Sequence, residues 1–354
     1  MIVEPTKLPL SADLPHEPGD NEWWQESNVL GWADTEKQIG GFMRIGHQPN
    51  RGFTKCCFGI VSRNGNGYTR STQHLPWRPH DATSDTFSTD DFVSARFFEQ
   101  GSHWIATDEH CALDLTVRDV HPTYDFFSFT GKTEVSRTIA PNHIQAGGLV
   151  AGHVRIGDEA HEVLGFTYRD HSWGTRLLHN PKADFYAAWW MGGALGGDFS
   201  FGFGDGRAHS GDTMPFNYIV RDGVTYIVTV EDAWVGTNFA DGMSIRNARV
   251  VVSCEELGEL TFEAEGYGNV VLEMEGKHFE LSMPSTIRCG DRVGGGIVDT
   301  IFNPRNGTSR PFFLVGAAMA NGLSRFADGY LVQPEGIGAA RRAFIAGKPA
   351  DGRA

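Results

Sequence analysis

The sequence predicts a mainly β protein of antiparallel strands. Three observations carry that prediction: strand-length runs of β-branched and aromatic residues, turn pairs between the runs, and very little helical periodicity. The runs include Phe53 to Ser62, Ala112 to Val117, Leu149 to Ile156, Thr225 to Val230, Ala248 to Val252 and Val270 to Met274. The turn pairs are Asn64-Gly65, Asn66-Gly67, Asp205-Gly206, Asp222-Gly223, Asp241-Gly242 and Asn306-Gly307, residue types that reach positive φ at little cost. Parallel crossovers need intervening helices, and the sequence offers none, so the strands are expected to pair as hairpins. Many short strands with 44 glycines point to barrels or sandwiches rather than open sheets. The one helical spacing lies in Gly336 to Ala346, where Ala339, Ala340, Ala343 and Phe344 recur before Gly347-Lys348-Pro349, and it predicts a short C-terminal helix.

A chain of 354 residues exceeds one ordinary core, so two halves of similar size are expected. The polar, Pro- and Gly-containing stretch Gly131 to Gly148 has the character of a linker and places the divide near residue 145, giving units 1–145 and 146–354. There is no short tandem repeat, and a duplicated barrel whose sequence signal has faded stays open. A net charge of -14 repels phosphate backbones and anionic membrane surfaces, which disfavours nucleic acid as a partner. No run is long and apolar enough to cross a bilayer, and Met1 to Asp20 lacks the features of a signal peptide, so a cytoplasmic protein is expected. Cys56, Cys57, Cys111, Cys254 and Cys289 have no metal-ligand spacing and are expected as reduced thiols. A homodimer is compatible with the sequence, which carries no oligomer signal.

The chemistry concentrates in Tyr168-Arg169-Asp170-His171-Ser172-Trp173-Gly174. Val163 to Trp173 reads as a strand running into a turn at Gly174, so Phe166, Tyr168 and Asp170 share one side, and Thr167, Arg169, His171 and Trp173 share the other. Asp170 and His171 then meet in one pocket only if a bulge near Ser172 re-aims one of them. A carboxyl beside Phe166 and Tyr168 in an apolar surrounding holds its proton to higher pH, as a general acid requires, and the alternative is a structural ion pair with Arg169 or Arg176. His171 is either a proton-transfer group or a hydrogen-bonded packing residue. His153, His161, His171 and His179 share a region of chain, but their spacing matches no zinc pattern and no metal is expected.

Aromatic candidates flank the motif. Phe185 to Met191 concentrates Phe185, Tyr186, Trp189 and Trp190, and alternation sends Trp189 and Trp190 to opposite faces, one to line a cavity and one to pack elsewhere. Near the N-terminus, Trp23-Trp24-Gln25-Glu26 precedes Gly40-Gly41-Phe42-Met43-Arg44, where Glu26 is a second acid or base, or neutralises Arg44 across a strand pair. The Gly-rich segments do not sit between a strand and a helix N-terminus, so nucleotide cofactors are not expected.

The run Gly165-Phe166-Thr167-Tyr168-Arg169-Asp170-His171-Ser172-Trp173-Gly174-Thr175-Arg176 resembles the RDHSWG signature of the bacterial family related to carotenoid 1,2-hydratases and AttH-like lipocalin proteins, and Gly40 to Gly46 resembles that family's first domain. The resemblance spans roughly residues 20 to 270. Asn142-His143-Ile144-Gln145 and the C-terminal third depart from its pattern. It implies two lipocalin-like antiparallel β-barrel domains packed together, with ligand sites in or between them. It also implies a hydratase, dehydratase or isomerase without a cofactor, acting on a hydrophobic terpenoid- or steroid-like small molecule, with Asp170 protonating a carbon-carbon double bond. In that scheme His171, Arg169 or Tyr168 positions water or a hydroxyl, while Trp173, Trp189 or Trp190 faces the cation, with Tyr186, Trp24, Glu26 and Arg44 as further substrate-contacting candidates. A lipocalin-style carrier and a cyclase or pericyclase are the rival readings.

Overall fold

A computed structural model of the chain describes residues 1–302 apart from 6, 66, 90–92, 126, 128–130, 134–135, 138–140, 177–184, 209–212, 238–243 and 275–277, together with 325–326. The helix expected over Gly336 to Ala346 lies outside the described residues. Strands supply nearly all the regular structure described, and they form two curled sheets.

The first sheet comprises β2 (Trp24–Asp34), β3 (Ile39–Gln48), β4 (Phe53–Ser62), β5 (Gly67–Pro76), β6 (Thr86–Thr89), β7 (Val93–Phe98), β8 (Gly101–Thr107), β9 (Cys111–Asp119), β10 (Tyr124–Asp125), β11 (Asn142–Ile156) and β12 (Glu159–Thr175). Its order is β5-β4-β3-β2-β12-β11-β9-β8-β7-β6, with β10 added to β11. Two hairpin meanders, β2 to β5 and β6 to β9, are thus joined through the long β11–β12 hairpin, which makes β11 and β12 central strands bonded on both sides.

The second sheet takes β1 (Ile2–Val3) from the N-terminus and then β13 (Phe185–Ala194), β14 (Phe199–Ala208), β15 (Thr213–Arg221), β16 (Val224–Ile227), β17 (Thr229–Thr237), β18 (Ile245–Cys254), β19 (Gly258–Gly266), β20 (Val270–Met274), β21 (His278–Cys289) and β22 (Arg292–Phe302). A two-residue β23 (Arg325–Phe326) adds in parallel to β17. The change of sheet therefore falls between Thr175 and Phe185, not near residue 145. Asn142 to Gly148, the last part of the linker-like stretch, is the start of β11 in the first sheet, and the motif strand belongs to that sheet.

Each sheet curls around its own core. Inside the first, Leu30, Met43, Phe58, Phe87, Trp104, Leu115, Val150 and Val163, drawn from eight different strands, form one buried cluster. Inside the second, Trp189, Phe201, Ile219, Val250, Phe262, Met283 and Val298 do the same. A third layer, Val29, Phe42, Cys57, Val61, Tyr168, Val270 and Ile297, is shared by the two sheets, and it closes only because small residues let them approach. A Cβ on Gly192 would stand 2.2 Å from the Tyr168 ring, and one on Gly31 would stand 2.3 Å from Ile297.

The Asp222-Gly223 turn has positive φ at both residues (53° and 76°), the signature of a type I′ hairpin. Asp205-Gly206 is not a turn. It lies inside β14, opposite Trp189 and Ala188 on β13, and continues the strand instead of reversing the chain.

Candidate active site between the sheets

The register of β12 against β2 runs residue for residue from Phe166↔Ala33 to Thr175↔Trp24, and against β11 from Asn142↔Trp173 to Ile156↔Glu159, with no bulge at Ser172. Strand alternation therefore applies strictly, and the motif splits between two faces. Tyr168, Asp170 and Ser172 face the second sheet. They stand beside Gln145 and His143 on β11, Ser27 and Val29 on β2, and Arg44 on β3, which is opposite Val29. Arg169, His171 and Trp173 face the interior of the first barrel with Leu30, Asn28 and Glu26.

Charge gathers between the sheets. Asp170 keeps 21% of its side chain accessible although it sits mid-strand in the centre of a sheet, so open space adjoins it, and His143 Nε2 lies 3.3 Å from its Oδ2. From the second sheet come Glu280 and Ser282 of β21, Asp299 of β22 and Trp190 of β13; Ser282 and Trp190 are both register partners of Asp299. Burial pushes the Glu280 carboxyl up to about 7, with the charge of Asp170 adding to the effect and Arg44 and Arg176 opposing it. Burial, then the charges of Glu280 and Asp170, hold Asp299 well above the usual carboxylate range. Burial also lowers Arg44, against the attraction of Glu280 and Asp170, and brings Arg176 down to about 10, with Arg44 adding repulsion.

The Gln25 side chain, with its amide turned to satisfy its neighbours, accepts from Arg44 Nη2 at 2.6 Å and Arg176 Nη1 at 2.9 Å, tying the two guanidinium groups into one cationic wall. Tyr168 Oη, Arg44 Nη1, Arg176 Nε, Trp190 Nε1 and Asp299 Oδ1 are buried and make no hydrogen bond among the described residues. Each such group costs about 1–3 kcal/mol when left unpaired, so their concentration in one layer is what a site for polar atoms of a small molecule would show.

The face inside the first barrel is satisfied instead. Arg169 is fully buried and bidentate to two carboxylates: Nε and Nη2 reach Asp119 at 2.9 and 2.6 Å, and Nη1 and Nη2 reach Asp13 at 2.8 and 2.9 Å. It neither pairs with Asp170 nor faces it, because the two lie on opposite sides of β12. Arg169 is thus a structural clamp that holds residues 10–18 against the barrel, and the expectation that it positions water is corrected.

His171 is likewise fully buried in this barrel, with Nε2 2.9 Å from Glu26 Oε1 and Nδ1 3.8 Å from Asp13, ringed by Phe87 and Phe97. Burial alone would push His171 down, but the carboxylates of Asp13 and Glu26 overcome it and hold the imidazole up at about 9. His171 therefore does not share a pocket with Asp170. Glu26 does not neutralise Arg44 either: it pairs across the strands with His47, binds His16 Nδ1 at 2.6 Å and His171, and faces away from Arg44.

Trp173 stacks on His16 with ring centroids 4.0 Å apart, and Trp24 lines a cavity of about 460 Å³ at the same barrel opening, so neither accompanies Asp170. Trp189 belongs to the core of the second barrel, and Trp190 lies beside Phe216 in the layer between the sheets. The side chain of Tyr186 is outside the described set. His153 and His161 stand toward the far end of the β11–β12 hairpin from His171, about 33 Å along the strand at ~3.3 Å per residue for His161, and His179 is outside the described residues. Among the described residues, the side chains that could hold a metal together are His16, Glu26 and His171.

Glu280, Asp299, His143 and Arg176 complete the group around Asp170. The available signal was Glu280 and Asp299 themselves, since acidic residues are depleted in strands and both stand within strand-like runs.

A family model described as Domain of unknown function (DUF7064) matches residues 9–304. No curated protein matches the chain. Among solved structures, the chain is similar to an AttH-like protein from Nitrosomonas europaea (TM-score 0.59, 13% identity, covering 84% of this chain and 96% of that one). It is also similar to kievitone hydratase from Nectria haematococca (TM-score 0.57, 11% identity, 86% and 94%) and to CghA with Sch210972 (TM-score 0.57, 9% identity, 81% and 90%). At these identities the likeness establishes a shared paired-sheet fold. Among the described residues no helix is long and apolar enough to cross a membrane.

Proposed function

The chain belongs to the family described as Domain of unknown function (DUF7064), and on that frame we propose that it adds water to, removes water from, or shifts a double bond within a hydrophobic terpenoid- or steroid-like small molecule, using the carboxyls between its two sheets. The observation that carries this reading is Asp170, 21% accessible, facing a second sheet that presents Glu280, Asp299 and the indole of Trp190.

In this scheme a proton held by Asp299 or Glu280 passes through Asp170 to one alkene carbon, leaving a tertiary cation on the other and a carboxylate behind. The faces of Trp190 and Tyr168 stabilise that cation, and water adds to it and returns a proton to the carboxylate. Dehydration is the same sequence reversed. Glu280, titrating near 7, and protonated Asp299 supply and accept protons beside Asp170, while Arg44 and Arg176 keep three carboxyls in one layer affordable in charge. The names of the fold neighbours, a hydratase among them, support a small-molecule reaction of this kind.

The test is a panel of lipophilic alkenes and tertiary alcohols incubated with the protein in ¹⁸O-labelled water, wild type against Asp170→Asn. The expected result is labelled alcohol from an alkene, or alkene from a tertiary alcohol with loss of water, and a loss of turnover of about 10²-fold or more in a variant with unchanged melting temperature and ligand retention. Undiminished turnover in Asp170→Asn refutes the role of Asp170. Retention of ligand by wild type without turnover identifies a carrier, and an unlabelled product isomeric with the alkene identifies a double-bond shift or, where a ring has formed, a cyclase.

A further inference from the structure

We propose that the first barrel holds one divalent cation of the zinc class at the junction of His16, Glu26 and His171, where it clasps residues 10–18 to the barrel opening. The site is on the opposite face of β12 from Asp170 and is independent of the proposed reaction.

Four observations meet here. One ligand atom from each of the three side chains lies within 4.8 Å of the others, and both imidazoles converge on the same carboxylate oxygen, His16 Nδ1 at 2.6 Å and His171 Nε2 at 2.9 Å from Glu26 Oε1. Tetrahedral ligands about 2.0–2.1 Å from zinc sit roughly 3.3 Å apart, so the cation fits once the two imidazole nitrogens draw back from Glu26 Oε1 by about 0.7 and 0.4 Å. Two imidazoles and one carboxylate are a donor set that zinc takes readily.

A carboxylate also stands behind one of the imidazoles. Asp13, itself gripped by Arg169, lies 3.8 Å from the far nitrogen of His171, beyond hydrogen-bond distance but on the side from which a carboxylate supports a metal-bound imidazole. The site borders a cavity. The cavity of about 460 Å³ is lined by His16, Glu26, Trp24, Trp77 and His47. Across it, the 2% exposed His47 has Nδ1 fixed by Thr54 Oγ1 at 2.8 Å, while its Nε2, beside the backbone of Asp81, makes no hydrogen bond that meets distance and angle.

Charge points the same way. Three acidic side chains, Asp13, Asp119 and Glu26, meet in this buried cluster against the single guanidinium of Arg169, and a cation held by His16, Glu26 and His171 adds positive charge where the acids outnumber the fixed cation. His16 belongs to the segment before β2 and keeps a quarter of its side chain accessible, which gives the cation a path of entry.

The experiment uses the full chain, stripped with a chelator and titrated with Zn²⁺ in competition with a chromophoric indicator, with melting temperature followed in parallel. The expected result is one Zn²⁺ per chain with a raised melting temperature. In His16→Ala, and separately in Glu26→Gln, affinity falls at least about tenfold and the zinc-induced rise disappears. His103→Ala, which removes an exposed histidine paired with Asp114 on the outer surface, leaves both readouts unchanged. Absence of stoichiometric uptake by wild type means that protons alone bridge His16, Glu26 and His171, and it overturns the proposal. Wild-type affinity in either folded variant, or its loss in His103→Ala, does the same.

Discussion

Replacing Arg169 by methionine isolates the physics of the motif's buried face. The guanidinium is 1% exposed and makes four charge-assisted hydrogen bonds of 2.6–2.9 Å to Asp13 and Asp119, which are 3% and 6% exposed. Methionine fills much of the volume but leaves two carboxylates buried without a counter-charge, and breaking a buried pair in this way costs about 3–5 kcal/mol. At roughly 2–4 °C per kcal/mol for a unit of this size, the melting transition of the first barrel should fall by ~6–20 °C.

The pH dependence gives an independent check on the cause. Burial would raise Asp13, but Arg169 and His171 overcome it and hold its carboxyl well below the usual range, so its contribution in the wild type is present above the unfolded value and is not lost until acid pH. Without Arg169, burial raises the folded value above the unfolded one. As pH falls from 7 toward ~4 the variant then gains this contribution on top of those it shares with the wild type, and the gap between them narrows. Urea unfolding followed by tryptophan fluorescence at pH 7 and pH 4.5 measures both effects. A loss below about 1 kcal/mol at pH 7, or a gap that widens on acidification, refutes the assignment of Arg169 as a clamp.

Two further outcomes follow from the layer between the sheets. Glu280 has its folded value raised to about 7, so it favours folding below its unfolded value and opposes it as pH rises through 7, by up to about 3 kcal/mol. Glu280→Gln should flatten the stability profile between pH 5 and 8, and an unchanged slope in chemical denaturation shows that the group titrates normally. Gly192→Ala drives a methyl into the buried Tyr168 ring at 2.2 Å, and an overpacking loss of about 1–3 kcal/mol is expected in the same assay, with a neutral result showing that the sheets separate more easily than their packing implies.

Much of the architecture was legible because strand alternation and turn chemistry are local. Phe53 to Ser62 and Val270 to Met274 coincide with β4 and β20, and Asp222-Gly223 turns as its residue types require. The two-face division of Tyr168 to Trp173 followed from the same period of two. What local pattern does not encode is which strand lies next to which: β12 pairs with β2 across more than a hundred residues, and that pairing draws the motif into the first sheet. The clamp was hidden for the same reason, since Asp13 and Asp119 are remote in sequence from Arg169 and lie in segments without distinctive composition. Asp205-Gly206 shows the converse error, a turn dipeptide that the pairing of β14 with β13 and β15 holds extended inside a strand.

The adjacency of Asp170 and His171 invites their assignment to one catalytic pair, and the ladders on both sides of β12 argue against it. A strand bonded on both edges without a bulge cannot rotate one side chain to the other face without breaking hydrogen bonds to β2 and β11. The two faces communicate only through a backbone held rigid by those ladders, so each can be altered with the other intact. A change at Arg169 should then appear in stability while the folded fraction keeps its turnover, and a change at Asp170 should appear in turnover while stability holds. Seen this way the motif's polar residues divide their labour: the buried face fixes the strand with Arg169 and His171, and that fixed strand carries Asp170 and Tyr168 to the second sheet at a set distance from Glu280, Asp299 and Trp190.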